Sequence, residues 1–213
     1  MKKGLVFLAI LSLAVTANAG VTITGLIDGP RSGGIPKAIE LYADGTVDLS
    51  EWSLKSANNG ASSWSVTFDA MTGTATDEFI YVEYGNGMLP YFGFGSDYSS
   101  SVVNHNGDDT IGLFHDDVLV DIIGELGVDG TGEAWECLDS YLYRQDFTQP
   151  STTWNAADWI VPGTNHLDPQ GSSGANGDAG ITVPFGTYQV PEPATMGLLV
   201  LGGIAALVRR RRA

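Results

Sequence analysis

Polar and apolar residues alternate with a period of two over most of this chain, in short runs separated by glycine, asparagine, aspartate and serine. Val21 and Ile23 alternate with Thr22 and Thr24. Ile39 and Leu41 share a face within Ala38-Ile39-Glu40-Leu41-Tyr42. Leu49, Trp52 and Leu54 mark a third run, and Trp64, Val66 and Phe68 a fourth. Such alternation places one set of side chains on a buried sheet face, so each run predicts a strand. Glu78 to Tyr84 is nearly continuously apolar and aromatic, the pattern of a strand covered on both faces. Met88 to Phe94 is aromatic but interrupted by Pro90 and Gly93, which fits a strand edge or a loop. Thr110 to Phe114, the turn His115-Asp116-Asp117 and Val118 to Ile123 form the clearest hairpin, with Val118, Val120 and Ile122 expected on one face. A loop rich in glycine and acid, Gly124 to Asp139, leads to Ser140-Tyr141-Leu142-Tyr143-Arg144, and Trp154 and Trp159 flank a last element. Helical periodicity is nearly absent. Many short strands with turn residues between them predict an all-β sandwich or barrel.

The two ends break the pattern. Lys2 and Lys3, an apolar run from Gly4 to Val15 and Ala17-Asn18-Ala19 have the order of a secretory signal peptide over 1–19, cut after Ala19. At the other end, Val190-Pro191-Glu192-Pro193 precedes an apolar run, Ala194 to Val208, and then Arg209, Arg210, Arg211 and Arg212. As a helix that run would extend about 22 Å, short against the ~30 Å of bilayer hydrocarbon, although arginine side chains can snorkel outward. It reads either as a single transmembrane helix or as a transient sorting signal, with the arginines holding the end in the cytoplasm. Residues 20–169 form the expected domain. Residues 170–189, beginning QGSSGANGDAG, have linker composition, and 190–213 form the sorting segment.

Charge sharpens the picture. Six of the ten basic residues lie in the two end segments, and no acidic residue lies in 1–19 or 194–213. The exported portion therefore keeps four basic residues against 25 acidic, a formal net charge of −21. Such a surface repels phosphate backbones, so no direct nucleic-acid binding is expected. It suits solubility, cation binding or contact with neutral glycans. The single cysteine, Cys137, reads as a buried thiol, because a lone cysteine could pair only with another molecule.

Candidate chemistry is sparse. His105 with Asp108 and Asp109 is the nearest approach to a hydrolytic constellation, set against the plainer reading of a polar approach to a hairpin. Asp129, Glu133 and Glu136, and separately Asp108 and Asp109 with Asn106, supply hard oxygens that suit calcium. Neither group has EF-hand spacing, and solvated acidic turns are the plainer reading of both. Tyr91, Phe92, Tyr98 and Trp135 lie in loops and are candidates for stacking on sugar faces, with core packing favoured for Phe92.

Two resemblances carry this further. The Pro191-Glu192-Pro193 turn, the short apolar helix and the arginine cluster closely resemble the PEP-CTERM sorting signal. That resemblance implies processing by an exosortase near Pro191–Pro193, a passing attachment to the inner membrane, and a destination on the envelope or in an exopolysaccharide matrix. From about Ile23 to Trp159 the order of motifs resembles the bacterial extracellular lamin-tail domain. It is carried by Ile23 to Pro30, Ile39-Glu40-Leu41-Tyr42, Asp48 to Leu54, Asn106 to Leu113 and Asp139 to Arg144, with Glu51 where that family usually has glycine. This implies an immunoglobulin-like β-sandwich and supplies no shared catalytic residues. The expectation is an exported, non-catalytic binding or adhesion module associated with exopolysaccharide, biofilm or other surface proteins. The alternatives are a metal-dependent extracellular hydrolase or nuclease-associated domain, and a structural scaffold.

Overall fold

Two sheets packed face to face account for nearly every strand that the alternation predicts. The computed structural model describes residues 19–170 and 182–190, which lie within a single unit, Ala19–Pro191. The first sheet contains β1 (Gly20–Arg31), β2 (Ile35–Asp48), β5 (Thr74–Tyr84), β6 (Tyr98–Ser99), β9 (Ser140–Arg144) and β10 (Trp159–Ile160), in the order β10-β9-β1-β2-β5-β6. The second contains β3 (Trp52–Ala57), β4 (Val66–Phe68), β7 (Thr110–His115) and β8 (Val118–Ile123), in the order β4-β3-β7-β8. All pairings are antiparallel except the short β5–β6 contact. The protein is an all-β sandwich.

The core lies between the sheets, where Ile23, Leu26, Ile39, Leu41, Ile80 and Val82 meet Leu54, Ile111, Leu113 and Ile123, all at most 3 % exposed. Each such side chain contributes about 1.5–3 kcal/mol on leaving water. β1 stays in this core by changing phase at Thr24, and a further register shift follows between Asp28 and Arg31. Thr24 is an extra residue between Ile23, opposite Leu41, and Gly25, opposite Glu40. The bulge lets Val21, Ile23 and Leu26 face inward while Gly25 and Ile27 face outward, a switch that simple alternation does not foresee. Another bulge, at Leu113–Phe114, corrects the expected face of β8. Val118 is exposed rather than aligned with Ile122, and Asp121 opposes Leu113 on the buried side.

Local chemistry sets the other departures. Met88–Phe92 is a helical turn, α1, and not a strand edge or an open loop. Pro90 is tolerated because its missing N–H falls in the first turn, and Gly93 ends the turn with φ +83° while its N–H donates to the Leu89 carbonyl at 3.0 Å. Met88 and Tyr91, three apart, are the buried pair. The Asp48 carboxylate accepts from the Ser50 N–H at 3.0 Å and hydroxyl at 2.7 Å, capping the turn Leu49–Glu51. Glu51 is accommodated there without glycine, and its carbonyl accepts the Asp116 N–H.

The outer face of the six-stranded sheet is also covered. Tyr42, Phe79, Tyr81, Phe92 and Tyr143 form an aromatic layer beneath residues 182–190. Within that strap Val183 and Tyr188 are buried, and Phe185 stacks on Phe92 with centroids 5.3 Å apart. The Tyr143 hydroxyl accepts from the N–H of Thr187 at 3.0 Å and of Tyr188 at 2.7 Å, and Tyr188 donates to the Thr148 carbonyl at 2.6 Å. These residues, read from composition as the end of a linker, are thus part of the folded unit. Gln170, read as the first linker residue, is buried. The remainder of the expected linker, 171–181, lies outside the described residues, as do the expected signal peptide through residue 18 and the sorting residues Pro191, Glu192, Pro193 and Arg209 to Arg212.

Gly25 makes this close approach possible. A β-carbon there would stand 2.5 Å from a ring carbon of Phe185. Gly25→Ala is therefore expected to cost about 1–3 kcal/mol, the range for overpacking a tight site. Limited proteolysis should show 182–190 becoming cleavable while the far-ultraviolet circular dichroism of the sandwich stays unchanged.

Candidate functional site

The first hairpin brings together the main cluster of buried charge at one pole of the sandwich. Gly29-Pro30, near the end of β1, and Gly33-Gly34, in the turn to β2, shape this hairpin, and its register places Asp28 opposite Lys37. The Lys37 ammonium lies 2.6 Å from the Asp28 carboxylate, with both side chains at most 5 % exposed. Lys37 also donates to the His105 carbonyl, and the other Asp28 oxygen accepts the Asp139 N–H at 3.2 Å. One buried ion pair thus ties the hairpin to the loops at 104–109 and 137–139. Removing one partner of such a pair would strand a charge in the interior.

Above this tie opens a cleft of about 460 Å³. Asp28 and Lys37 form its floor, while Asn104, Asn106, Leu138 and Asp139 stand at its mouth with Pro30 and Arg31. Burial raises the Asp28 carboxyl above its ordinary range, countered in part by Lys37. Burial and then the neighbouring Asp168 carboxylate do the same for Asp139. A second, smaller groove of about 200 Å³ lies against β5, lined by Thr72, Thr74, Glu78, Phe79, Asp97 and Tyr98.

The residues suggested by sequence for hydrolysis are adjacent to the cleft but are turned to structural tasks. His105 is buried, and its Nδ1 accepts the Gly107 N–H at 3.1 Å. Burial first, and then the Lys37 charge, push its pKa down to about 3, so the ring is neutral at any physiological pH. The Asp109 carboxylate accepts the Asn59 N–H at 2.8 Å, and Asp108 accepts the Thr131 hydroxyl at 3.2 Å. Gly107, with φ +80°, is required for this loop to lie against the chain at Cys137–Leu138, because a β-carbon would approach the Leu138 nitrogen to 2.4 Å. Cys137 is fully buried beside it, and burial pushes its thiol well up.

The residues suggested for calcium close turns instead of converging. The Asp129 carboxylate accepts the Thr131 N–H at 3.0 Å, Glu136 accepts the Gly132 N–H at 2.8 Å, and Glu133 is exposed. Among the described residues, no three His, Cys, Asp or Glu side chains gather where they could hold a metal ion.

The aromatic candidates divide. Trp135 is 4 % exposed in the inter-sheet core, edge-on to Trp154, because the acid-rich loop folds back and turns its tryptophan inward. Tyr91 is 1 % exposed on the buried face of α1, with its hydroxyl bonded to Gln170. These two are corrected from loop-tip contacts to core residues. Phe92 packs under the strap, as core packing requires. Tyr98 is half-buried in the smaller groove, its hydroxyl donating to the Thr72 carbonyl at 2.8 Å. Asp28, Lys37, Asn104 and Asp139 were not singled out from the sequence. Opposite charges nine residues apart across a glycine-proline turn were the available signal.

In comparisons with known proteins, a model of the PEP-CTERM protein-sorting motif matches residues 189–212. No curated protein and no solved structure matches the chain. The motif marks an exported protein that an exosortase sorts to the cell surface. Among the described residues no helix is long and apolar enough to cross a membrane, and the apolar run before the arginines lies outside them.

Proposed function

We propose that this is a non-catalytic binding module, of the lamin-tail type, that attaches to extracellular polysaccharide after exosortase processing. The observation that carries the reading is the sorting motif at 189–212 joined to an all-β sandwich. His105 Nδ1, Asp108 Oδ2 and Asp109 Oδ1 each hold a local backbone or side-chain partner, His105 Nε2 and Asp108 Oδ1 are buried without one, and no hydrogen bond joins the histidine to either aspartate as an acid–base pair would require. The lamin-tail assignment draws on the motif order from Ile23 to Trp159 and on the two-sheet architecture. The charge of the exported portion favours uncharged polymers over polyanions.

The test has two parts. Intact mass of the protein recovered from the surface of an exosortase-bearing host should show loss of both end segments. The same material should be retained on the host's extracellular polysaccharide and show no turnover of phosphoester or polysaccharide substrates, with or without calcium. Turnover abolished by Asp109→Ala would establish the hydrolase alternative instead.

A further inference from the structure

We propose that the cleft above the Asp28–Lys37 pair is a subsite for one or two units of a neutral, hydroxyl-rich sugar. The inference rests on the polysaccharide-binding reading and locates it.

The lining chemistry identifies the ligand class. A sugar hydroxyl both donates and accepts, so its site needs groups of both kinds. Asn104 and Asn106 offer side-chain amides with both capacities, and the Asp139 carboxylate accepts. Leu138, 39 % exposed, and Pro30 provide the apolar wall that the C–H face of a pyranose ring requires. The charged lining cancels, with Asp28 and Asp139 against Lys37 and Arg31, so the cleft holds no net charge for a polyanion to seek. A volume of about 460 Å³ falls within the ~300–1,000 Å³ typical of small-molecule sites. The floor is pre-organised, since the buried ion pair and the Asp139 N–H bond fix three converging segments before any ligand arrives.

The cleft is also clear of the strap. β9 starts at Ser140, directly after the cleft residues Leu138 and Asp139, and ends at Arg144. Just past that far end the strap is tied down. The Gln189 N–H donates to Asp146 at 2.9 Å, and the Gln189 carbonyl accepts from Phe147 at 2.8 Å. The cleft and the strap's tie thus stand at opposite ends of one strand, roughly 15 Å apart at ~3.3 Å per residue, so the strap leaves the cleft open.

The experiment compares the mature protein with the double variant Asn104→Ala/Asn106→Ala, with Asp139→Asn, and with Tyr98→Ala in the other groove. Affinity electrophoresis would use dextran, galactomannan and, as an anionic contrast, alginate. Both asparagines are exposed, and asparagine tolerates the positive φ of Asp139, so these variants should fold. Unchanged circular dichroism and thermal midpoints check this. Retardation by at least one neutral polymer, weakened about tenfold or more by the cleft variants but not by Tyr98→Ala, is the expected result. Wild-type retardation that the cleft variants leave intact, or that only Tyr98→Ala removes, overturns the cleft while leaving the module a polysaccharide binder. Retardation by alginate alone overturns the ligand class. No retardation of the wild type by any polymer overturns both readings.

Discussion

Asp121→Ala should lower the thermal unfolding midpoint by about 10 °C, the largest effect expected of any single substitution outside the apolar core. Asp121 lies on β8 of one sheet and Arg144 on β9 of the other, and each side chain is 1 % exposed. Arg144 Nη2 lies 2.8 and 2.6 Å from the two carboxylate oxygens, and its guanidinium lies 4.5 Å from the Trp159 ring centroid. The carboxylate also accepts from the N–H of Ile23 and of Ser151, each at 3.0 Å. Arg144 donates through Nε to the Ile23 carbonyl at 2.6 Å and through Nη1 to the Gln149 carbonyl at 3.0 Å. The pair therefore staples the sheets and satisfies backbone groups of β1 and of the 149–151 loop. Removing the acid leaves a buried guanidinium without its counter-charge, at a cost of about 3–5 kcal/mol. In a domain of this size that is about 2–4 °C per kcal/mol.

A double replacement distinguishes this staple from an isolated ion pair. Buried ion pairs can often be exchanged for apolar residues without loss. Here Asp121→Leu with Arg144→Met would orphan the Ile23 and Ser151 N–H groups and the Ile23 and Gln149 carbonyls, each costing about 1–3 kcal/mol if left without a partner. Stability should not return. A double variant as stable as the parent in urea titration would show that water or loop movement replaces those bonds.

The second large effect is a pH dependence centred on Glu40. Its carboxyl is fully buried on the outer face of β2, where it accepts the Thr24 hydroxyl at 2.7 Å and the Gly186 N–H of the strap at 2.6 Å. The Tyr81 and Tyr143 hydroxyls also face it. Burial raises its pKa from 4.5 to about 7, against the smaller opposing effect of these hydrogen bonds. Between those two values the folded protein holds a proton that the unfolded chain has released. The contribution to stability is therefore full below about pH 4.5, falls as pH rises, and is lost once pH passes about 7. Its size is about 3 kcal/mol, at ~1.36 kcal/mol per pKa unit.

Urea unfolding of wild type and Glu40→Gln at several pH values from 5 to 8 isolates this group from the other buried carboxylates, which both proteins share. Glutamine can accept from Gly186 through its oxygen and donate to Thr24 through its nitrogen, so the site should keep its shape. The stability difference between the two proteins should shift toward the variant as pH rises. A difference independent of pH would show that Glu40 is ionised throughout, fully stabilised by its four donors. The phenols beside it, Tyr81 and Tyr143, are themselves pushed well above their usual range by burial and by the Glu40 charge.

Strand existence was legible wherever alternation was regular, as in β1, β2, β3, β7, β8 and β9. A period of two with one apolar face leaves a chain few other ways to bury that face. The helical turn at Met88–Phe92 was missed because five residues are too few to show a 3.6 period, and proline suggested a break. The Asp28–Lys37 floor went unnoticed because neither residue belongs to a familiar motif. Trp135 was misplaced because burial of a loop side chain depends on which way the loop folds, and local sequence carries little of that.

The residue pattern by itself determined the fold class, the turn positions and the sorting of the protein to the cell surface. Those follow from local periodicity and from a contiguous motif at 189–212, both of which act over a few neighbouring residues. Only the tertiary structure decided that Arg144 meets Asp121, that the strap covers Glu40, and that Asn104, Asn106 and Asp139 share one cleft. Each joins residues at least 23 positions apart, apart from the Asn104–Asn106 neighbours. They are set by strand order and by bulges in the strands, where packing of the whole core overrides the preference of any one segment.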